Sequence, residues 1–482
     1  MSLEGKAKKN YIYNLCYNIL VLIIPFITAP YISRVLGKEL IGIYSYTYAI
    51  VKYFSILGLL GAHTYGQLEV SKKRNDKEEL SKVFNDVLGC KFLTMTLSIA
   101  VFIFFVFFTK QYREVYIIML LVLVSSELDV SWLFQGLEEF KYIVVRNIVI
   151  RIMSVVLIFV LVKDKDDFVT YLIIMIGGNL LGNISLWTKV RRYVYFIKPN
   201  LSRIFKTLRN NLKYFVPSIA AIVFVSLDKC MIGWLTVGPT ENGYYEQANK
   251  IYEMLVTVVT SLTVVLLPRI TYLFSNNEDK KKLYEFINSN IIFIEMITVP
   301  LCIGVYLVSP EFVPLYFGAG YDSCIPMIQV FSLILVVTSL NNIISNQCLI
   351  AAGKQKKMNV FLIASSLINA VANFVFIQLA GGLGATIASF VSELFQLVLL
   401  IVYDKDIVDV KNFLRKMLGY ILKSFPMIGG VYCIQKISIN SGILSIMLQV
   451  IVGVFLYFIM MFITKDDCFM KIFNGVIKRK RR

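Results

Sequence analysis

Long apolar runs, each about 20 residues in length and separated by short polar segments, recur along the whole chain. A helix of about 20 apolar residues is long enough to cross the hydrocarbon core of a bilayer. The alternation with a period of two that is typical of a membrane β-barrel is absent from the sequence. The pattern therefore predicts an all-α, polytopic membrane protein with about 14 transmembrane helices. We place the spans near 12–33, 42–64, 84–108, 115–136, 142–162, 168–188, 213–235, 244–268, 285–308, 325–350, 358–378, 384–403, 414–434 and 443–464.

The composition supports this class and excludes several kinds of chemistry. Hydrophobic residues make up 57% of the 482 residues and charged residues only 17%, with a mean hydropathy of +0.70; soluble domains carry about 25% charged residues. His63 is the only histidine, and the eight cysteines lack the paired spacing of a metal site or a redox motif. No hydrolase or nucleotide-binding motif stands in a suitable context, and the connecting loops are too short for a nucleotide-binding domain. We therefore expect no metal, no cofactor and no enzymatic activity.

The net charge of +18 is explained by topology rather than by nucleic-acid binding. When the N-terminus is placed in the cytoplasm, most of the 49 Lys and Arg residues fall on inner segments, as the positive-inside rule requires. Both termini are then cytoplasmic, and the basic tail 478–482 is expected to bind anionic lipids. Seven basic residues fall on outer loops: Arg34, Lys38, Lys110, Arg113, Lys163, Lys165 and Lys436.

An internal similarity divides the chain into two halves. Gly37, Gly42 and Tyr44 recur 201 residues later as Gly238, Gly243 and Tyr245, in one ungapped register. Internal repeats of this kind build many transporters. We predict an N-terminal six-helix lobe at 1–188, a basic amphipathic linker on the inner leaflet at 189–212, and a C-terminal six-helix lobe at 213–403. Two additional helices and the basic tail occupy 404–482.

Charged and amide side chains inside the apolar runs are the candidates for function, because such groups are costly in a membrane. Asp228 and Lys229 are adjacent within one run, and either face protein or a watery cavity or snorkel from near a helix end. We expect Asp228 to pair with Lys250, or Lys229 with Glu246. Arg151 beside a carboxylate of the neighbouring helix would form a buried pair, structural or functional. The substrate-cavity candidates are Lys52, Arg151, Lys229, Lys250, Arg269, Asn14, Asn18, Asn369 and Asn373, of which the asparagines either line a cavity or join helices. The candidates for ion coupling or buried pairs are Asp228, Glu246, Glu127, Asp129, Glu295 and Glu393.

Several motifs resemble those of the bacterial polysaccharide repeat-unit flippases. They include Ile24-Pro25 through Pro30 to Arg34 and Gly37, the basic loop after Tyr65-Gly66, and Leu227-Asp228-Lys229 followed by Gly243-Tyr244-Tyr245, Lys250 and Pro268-Arg269. That family comprises the O-antigen and capsule flippases of the multidrug/oligosaccharidyl-lipid/polysaccharide superfamily, which also contains the MATE transporters. The resemblance implies two six-helix lobes around a cationic central cavity, with two further helices outside them.

The resemblance also implies a function. The substrate would be an oligosaccharide repeat unit on undecaprenyl diphosphate, moved from the inner to the outer leaflet of the bacterial inner membrane by alternating access coupled to an ion gradient. Membrane lipids, a polysaccharide polymerase and a chain-length regulator are the expected partners of a functional monomer. A multidrug or organic-cation antiporter of the same fold is the alternative, and a membrane glycan transferase or ligase is an alternative of another class.

Overall fold

The computed structural model describes residues 23–198, 200–264, 280–405, 407–437 and 442–480, and all regular structure in these ranges is helical. The candidates Asn14, Asn18 and Arg269 lie outside the described residues. The first ten helices are α1 Ile23–Val35, α2 Gly37–Leu59, α3 Ala62–Lys73, α4 Lys77–Phe108, α5 Arg113–Leu128, α6 Ser131–Gly136, α7 Phe140–Leu161, α8 Phe168–Val190, α9 Leu201–Leu235 and α10 Thr240–Val264. The later helices are α11 Lys280–Phe317, α12 Cys324–Ile344, α13 Gln355–Tyr403, α14 Val410–Lys423, α15 Phe425–Lys436, α16 Gly442–Ile463 and α17 Asp467–Lys480.

The predicted all-α membrane architecture is confirmed. Within the described ranges, ten helical segments are long and apolar enough to cross a bilayer. One of them, α13, covers two predicted spans because non-helical dihedral angles at Ala380 and Gly381 bend it sharply. Gly381 has a φ of 55°, a conformation that glycine adopts without steric cost. Helices α9 and α10 overlap predicted spans 7 and 8 but are not among the ten.

Helix boundaries follow from capping groups near the charged loops. The carboxylate of Asp76 accepts the N–H groups of Glu78 and Glu79 at 2.9 and 3.1 Å, which satisfies two free donors at the start of α4. Asn200 caps α9 in the same way through the N–H of Arg203. The helix then continues to Leu235, so residues 201–212 of the basic linker are the first part of α9 rather than a separate helix.

The helices cluster into two compact units, residues 1–243 and 244–482. The first unit has an apolar core of α2, α4, α5 and α8 side chains, including Val51, Met95 and Leu123. Helix α9 packs against α2, α3 and α4, which places it in this unit. The core of the second unit lies among α11, α12 and α13 and contains Ile287, Leu335 and Leu400. The repeat boundary at 189–212 rests on sequence similarity and stays a prediction.

The repeated glycines have matching geometries within the first unit. Gly37 and Gly238 both adopt positive φ angles, 77° and 81°. A Cβ on Gly42 would lie 1.8 Å from the carbonyl oxygen of Pro239, and a Cβ on Gly243 would lie 1.9 Å from that of Lys38. Since Pro239 is itself 201 residues after Lys38, the two turns contact each other reciprocally. Only glycine permits this close approach of the α2 and α10 turns.

Candidate functional site

A stripe of aromatic residues leads to Lys52 along one face of α2. Tyr44, Tyr48 and Lys52 are spaced four residues apart, so they lie above one another on the helix. The rings of Tyr44 and Tyr48 stack with centroids 5.4 Å apart, and the Lys52 Nζ lies 5.1 Å from the Tyr48 centroid. Lys52 is half-buried. A partly shielded cation beside tyrosine faces is suited to a ligand that combines negative charge with sugar rings.

A separate aromatic cavity of about 370 Å³ lies in the first unit against the opposite side of α2, from which Tyr46, Ile50 and Tyr53 contribute to its wall. Its volume falls in the range of small-molecule sites, about 300–1,000 Å³. Tyr53 in its wall interacts electrostatically with Asp228, which is 3% exposed. Lys229 is half-buried, so the two neighbours occupy different environments. The cavity is lined by Tyr46, Ile50, Tyr53, Phe54, Phe105, Thr109, Gln111, Tyr116, Cys230 and Trp234.

Lys91 is a buried cation within the predicted span 84–108. It is not among the site residues predicted from the sequence. It is 1% exposed, and its Nζ donates to the backbone carbonyl of Asp129, where α5 ends before α6. The Asp129 carboxylate accepts the N–H and hydroxyl of Ser131 at 2.8 and 3.0 Å, and Ser131 lies 3.2 Å from His63. Asp129 therefore joins two helices, and Lys91 is the cation that contacts it.

Arg151, expected beside a carboxylate, is half-buried on α7. The Glu127 carboxylate accepts the Thr96 hydroxyl at 3.2 Å. Five residues before Arg151 on the same helix, Arg146 donates to Asn183 at 2.9 Å, and Asn183 donates to the Ser125 carbonyl at 2.8 Å. The pairing of Arg151 with a carboxylate stays a prediction, while Arg146 is a polar link between α7 and α8 that sequence depth alone did not single out.

Helix α10 carries a polar face in the second unit. The Nζ of Lys250 lies 3.6 Å from the carboxylate of Glu246, one turn earlier, and Asn249 donates to Glu253 at 2.8 Å. Glu246 is buried and Lys250 half-buried. Lys250 thus has an ion-pair partner on its own helix, and the expected pairs with Asp228 and Lys229 stay predictions.

Glu393 is the centre of a buried hydrogen-bonded set that we call the Glu393 cluster: Tyr252, Thr338, Asn341 and Glu393. The amide of Asn341 donates to the carboxylate of Glu393 at 2.6 Å and to its backbone carbonyl at 3.0 Å. The Thr338 hydroxyl lies near the same carboxylate and 2.8 Å from the Tyr252 hydroxyl. Three helices, α10, α12 and α13, therefore meet at one carboxyl group.

Within the described residues of the second unit, several buried polar side-chain atoms, one of them in the Glu393 cluster, lack a hydrogen-bond partner. They include the Asn341 Oδ1, the Ser345 Oγ, the Gln347 Nε2 and the Asn369 Nδ2. Asn373 donates to the Asn369 Oδ1 at 3.0 Å, so the two predicted asparagines contact each other on one helix. A buried polar atom without a partner costs about 1–3 kcal/mol. This part of the second unit is therefore suited to water or a polar ligand.

Glu295 is separate from that cluster. It is 0% exposed on α11, and both its carboxylate oxygens lack a hydrogen-bond partner among the described residues. Its neighbour Met296 packs with Tyr420 and Tyr457 in an apolar group, and the Tyr457 hydroxyl donates to the Met296 carbonyl at 2.8 Å. Burial in such surroundings favours a neutral carboxyl group. In the part of the chain that the structure describes, no three His, Cys, Asp or Glu side chains converge as metal ligands.

Comparison with known proteins identifies the family. The family model described as "Polysaccharide biosynthesis protein" matches residues 7–274, more than half of the chain. The chain belongs to the polysaccharide biosynthesis protein family. A relative of this family member in Escherichia coli (strain K12), named "Putative O-antigen transporter", is 23% identical over 376 residues, 77% of this chain and 90% of its own. A protein of the same name from Shigella dysenteriae is 24% identical over 373 residues, 77% of this chain and 92% of its own.

Solved structures show the fold that this polysaccharide biosynthesis protein shares. The lipid II flippase MurJ in an inward closed conformation matches 95% of the chain and 99% of its own, with a TM-score of 0.71 at 16% identity. An inward-facing multidrug resistance MATE transporter of the MOP superfamily matches 82% of the chain and 94% of its own, with a TM-score of 0.61 at 14% identity. The MATE-like fold that the sequence motifs implied is confirmed.

Proposed function

We propose that the protein moves a lipid-linked oligosaccharide across the membrane for the synthesis of a surface polysaccharide. The observation that carries this proposal is the similarity to proteins named for O-antigen transport, which the chain matches over about nine-tenths of their length. The fold shared with a protein titled lipid II flippase is compatible with the movement of a lipid-linked substrate.

The substrate class is an oligosaccharide on a polyprenyl diphosphate. Two phosphate charges lose their water in the membrane, and buried cations can replace that water. Lys52 beside Tyr48 supplies a cation next to aromatic faces, and the aromatic cavity on the other side of α2 offers stacking surfaces for sugar rings. Arg151, Lys229 and Lys250 are the further proposed cations, and the polyprenyl chain stays in the lipid.

The cellular setting follows from the same proposal. The protein lies in the bacterial inner membrane with both termini in the cytoplasm, as the distribution of Lys and Arg favours. It acts as a monomer that passes repeat units to a polymerase and a chain-length regulator. O-antigen, capsule and exopolysaccharide are all compatible surface products.

We further propose that transport is coupled to an ion through the Glu393 cluster. Its carboxyl group is buried, has one amide donor and one hydroxyl neighbour, and lies beside the Asn341 Oδ1, which has no hydrogen-bond partner among the described residues. Protonation or cation binding there changes the charge at the contact of three helices, which can bias a conformational equilibrium.

The coupling is tested with Glu393→Gln in proteoliposomes under an imposed proton or sodium gradient. The variant should keep basal movement of the lipid-linked oligosaccharide and lose its stimulation by the gradient, because glutamine cannot change its charge. Glu311→Gln, whose carboxylate accepts from Ser445 and Gln449 outside the cluster, is the matched control. Full stimulation of Glu393→Gln would place the coupling elsewhere.

The proposed function is tested in the source bacterium by deleting the gene. Lipid-linked repeat units should accumulate with an unaltered glycan mass, and the surface polysaccharide should be lost. Loss of resistance to organic cations with normal surface polysaccharide would support an antiporter instead. Accumulation of a truncated or unligated glycan would indicate a transferase or ligase.

A further inference from the structure

A long apolar groove lies on the first unit, away from the aromatic cavity and the Glu393 cluster. It has a volume of about 740 Å³ and is formed by one face of α4 together with the segment that leads into α9. From Asn85 to Ala100 the α4 face extends for about 22 Å, at 1.5 Å per residue. The lining residues are Asn85, Leu88, Gly89, Phe92, Leu93, Thr96, Leu97, Ala100, Ile197, Leu201 and Ile204.

The groove is lined mainly by apolar side chains. The side-chain amide of Asn85 donates to the backbone carbonyls of Ser81 and Tyr195 at 2.8 and 2.7 Å. Its side-chain oxygen accepts the N–H of Ile197 at 3.2 Å. Thr96 donates to Glu127. Both polar lining residues therefore already have partners inside the protein, and a polar ligand would gain nothing from them.

The hydrogen bonds of Asn85 to Tyr195 and Ile197 fix the segment before α9 that closes one end of the groove. Gly89 allows the close packing there, since a Cβ on it would lie 2.9 Å from the Cδ1 of Ile204. The groove is thus a built feature of the fold, open along α4, where Leu97 is 67% exposed.

Basic residues lie next to the lining residues at that closed end. Lys198 follows the lining residue Ile197, and Arg203 precedes Ile204. Lys198 and Lys206 are exposed, whereas Arg203 is half-buried with its Nε 3.1 Å from the carboxylate of Asp86. At the far end the lining residues Leu97 and Ala100 are apolar.

We propose that this groove binds one acidic phospholipid of the membrane leaflet that faces α9. The acyl chain lies along α4 between Leu88 and Ala100, and the phosphate group is bound by Lys198, Arg203 and Lys206. The positive charge at one end of the groove matches the anionic headgroup of the phospholipid, and the apolar remainder of the groove matches one of its acyl chains. A zwitterionic lipid fills the same groove but lacks the net charge.

The test is native mass spectrometry of the full-length protein in detergent, titrated with phosphatidylglycerol or phosphatidylcholine. Wild-type protein should bind one phosphatidylglycerol more tightly than phosphatidylcholine. Lys198→Gln with Lys206→Gln leaves the Arg203–Asp86 pair intact and should weaken phosphatidylglycerol binding by about 25-fold, since each cation near a membrane surface contributes about fivefold. Lys411→Gln with Arg415→Gln, on the basic helix α14, is the control and should leave this site unchanged.

The hydrocarbon part of the groove has its own variant. Leu97→Trp fills the groove and should reduce occupancy by both lipids, whereas Leu181→Trp, at a residue 66% exposed on α8, should not. Equal affinity of the wild type for the two lipids, or unchanged binding in both groove variants, would overturn the proposal. Displacement of phosphatidylglycerol by a lower concentration of polyprenyl phosphate would also overturn it, because the occupant would then be a substrate chain. Neither result depends on whether the protein transports oligosaccharides.

Discussion

Asp466 is a single carboxylate that joins two helices, α14 and α17, at the end of the second unit. One oxygen lies 2.5 Å from the Nζ of Lys423, at the end of α14, and the other accepts the N–H groups of Cys468 and Phe469 at 3.1 and 3.2 Å. Burial raises the pKa of Asp466, but the bonds from Lys423 and Phe469 and the nearby charge of Lys416 outweigh it and hold the pKa below its ordinary value. The carboxylate is therefore stabilised in the folded protein.

Lys423→Gln should destabilise the protein by about 2 kcal/mol at neutral pH, as expected for one hydrogen bond between charged groups. Because the folded pKa of Asp466 is depressed, its contribution is complete above the ordinary pKa and is lost as the pH falls through the folded value. The difference in melting temperature between wild type and variant should therefore shrink in acid. Lys411→Gln, on the exposed side of the same helix, is the control. If the difference in melting temperature between wild type and Lys423→Gln stays constant with pH, protonation of Asp466 does not break its pair with Lys423.

At the residue scale, the sequence predicted which positions carry buried charge but not their partners. Lys250 contacts Glu246 on its own helix, and Lys91 contacts Asp129. Depth along a helix follows from counting residues, whereas the direction of a side chain around the helix depends on packing that one sequence does not reveal. For that reason the burial of Glu295 and Glu393 was predictable and the Glu393 cluster was not.

At the scale of elements, the apolar runs predicted the helices well because burial in lipid imposes their length. The predicted break at 379–383 is a sharp bend within α13 rather than a loop. The continuity of α9 was missed because its first part is basic and its second apolar, although neither glycine nor proline interrupts residues 201–216. A change of polarity therefore does not end a helix where the backbone has no reason to stop.

The reciprocal turns at Gly42 and Gly243 give the sharpest prediction at this scale. Gly42→Val places side-chain atoms against the Pro239 carbonyl, and Gly243→Val does the same at Lys38, so each should destabilise the protein by at least about 1–3 kcal/mol. Since both substitutions separate the same two turns, the double variant should be little worse than either single one.

Thermal unfolding in detergent measures these effects. Gly177→Val is the control, because a Cβ at Gly177 meets nothing within 4 Å. If Gly42→Val behaves like Gly177→Val, the close contact of the two turns does not exist in the folded protein.

At the scale of the whole molecule, the internal repeat is visible in the sequence, whereas the proposed cargo, a lipid-linked glycan, does not follow from the fold. The two-half repeat was visible in the sequence as an offset of 201 residues, and the matching geometry of Gly37 with Gly238 and of Gly42 with Gly243 follows the same offset. The cargo cannot be read from the fold, since a lipid II flippase and a multidrug transporter both share it. The proposal of an anionic glycan rather than an organic cation rests on the cation of Lys52 beside the Tyr48 ring.

The most direct test is movement of a fluorescent polyprenyl-diphosphate oligosaccharide across the bilayer of proteoliposomes that contain the purified protein. A membrane-impermeant reagent that modifies the glycan should reach substrate from the inner leaflet only when the protein is present. Lys52→Gln combined with Arg151→Gln should slow this movement at an equal amount of folded protein. Equal rates in protein-free vesicles and proteoliposomes, with organic cations transported instead, would contradict the account.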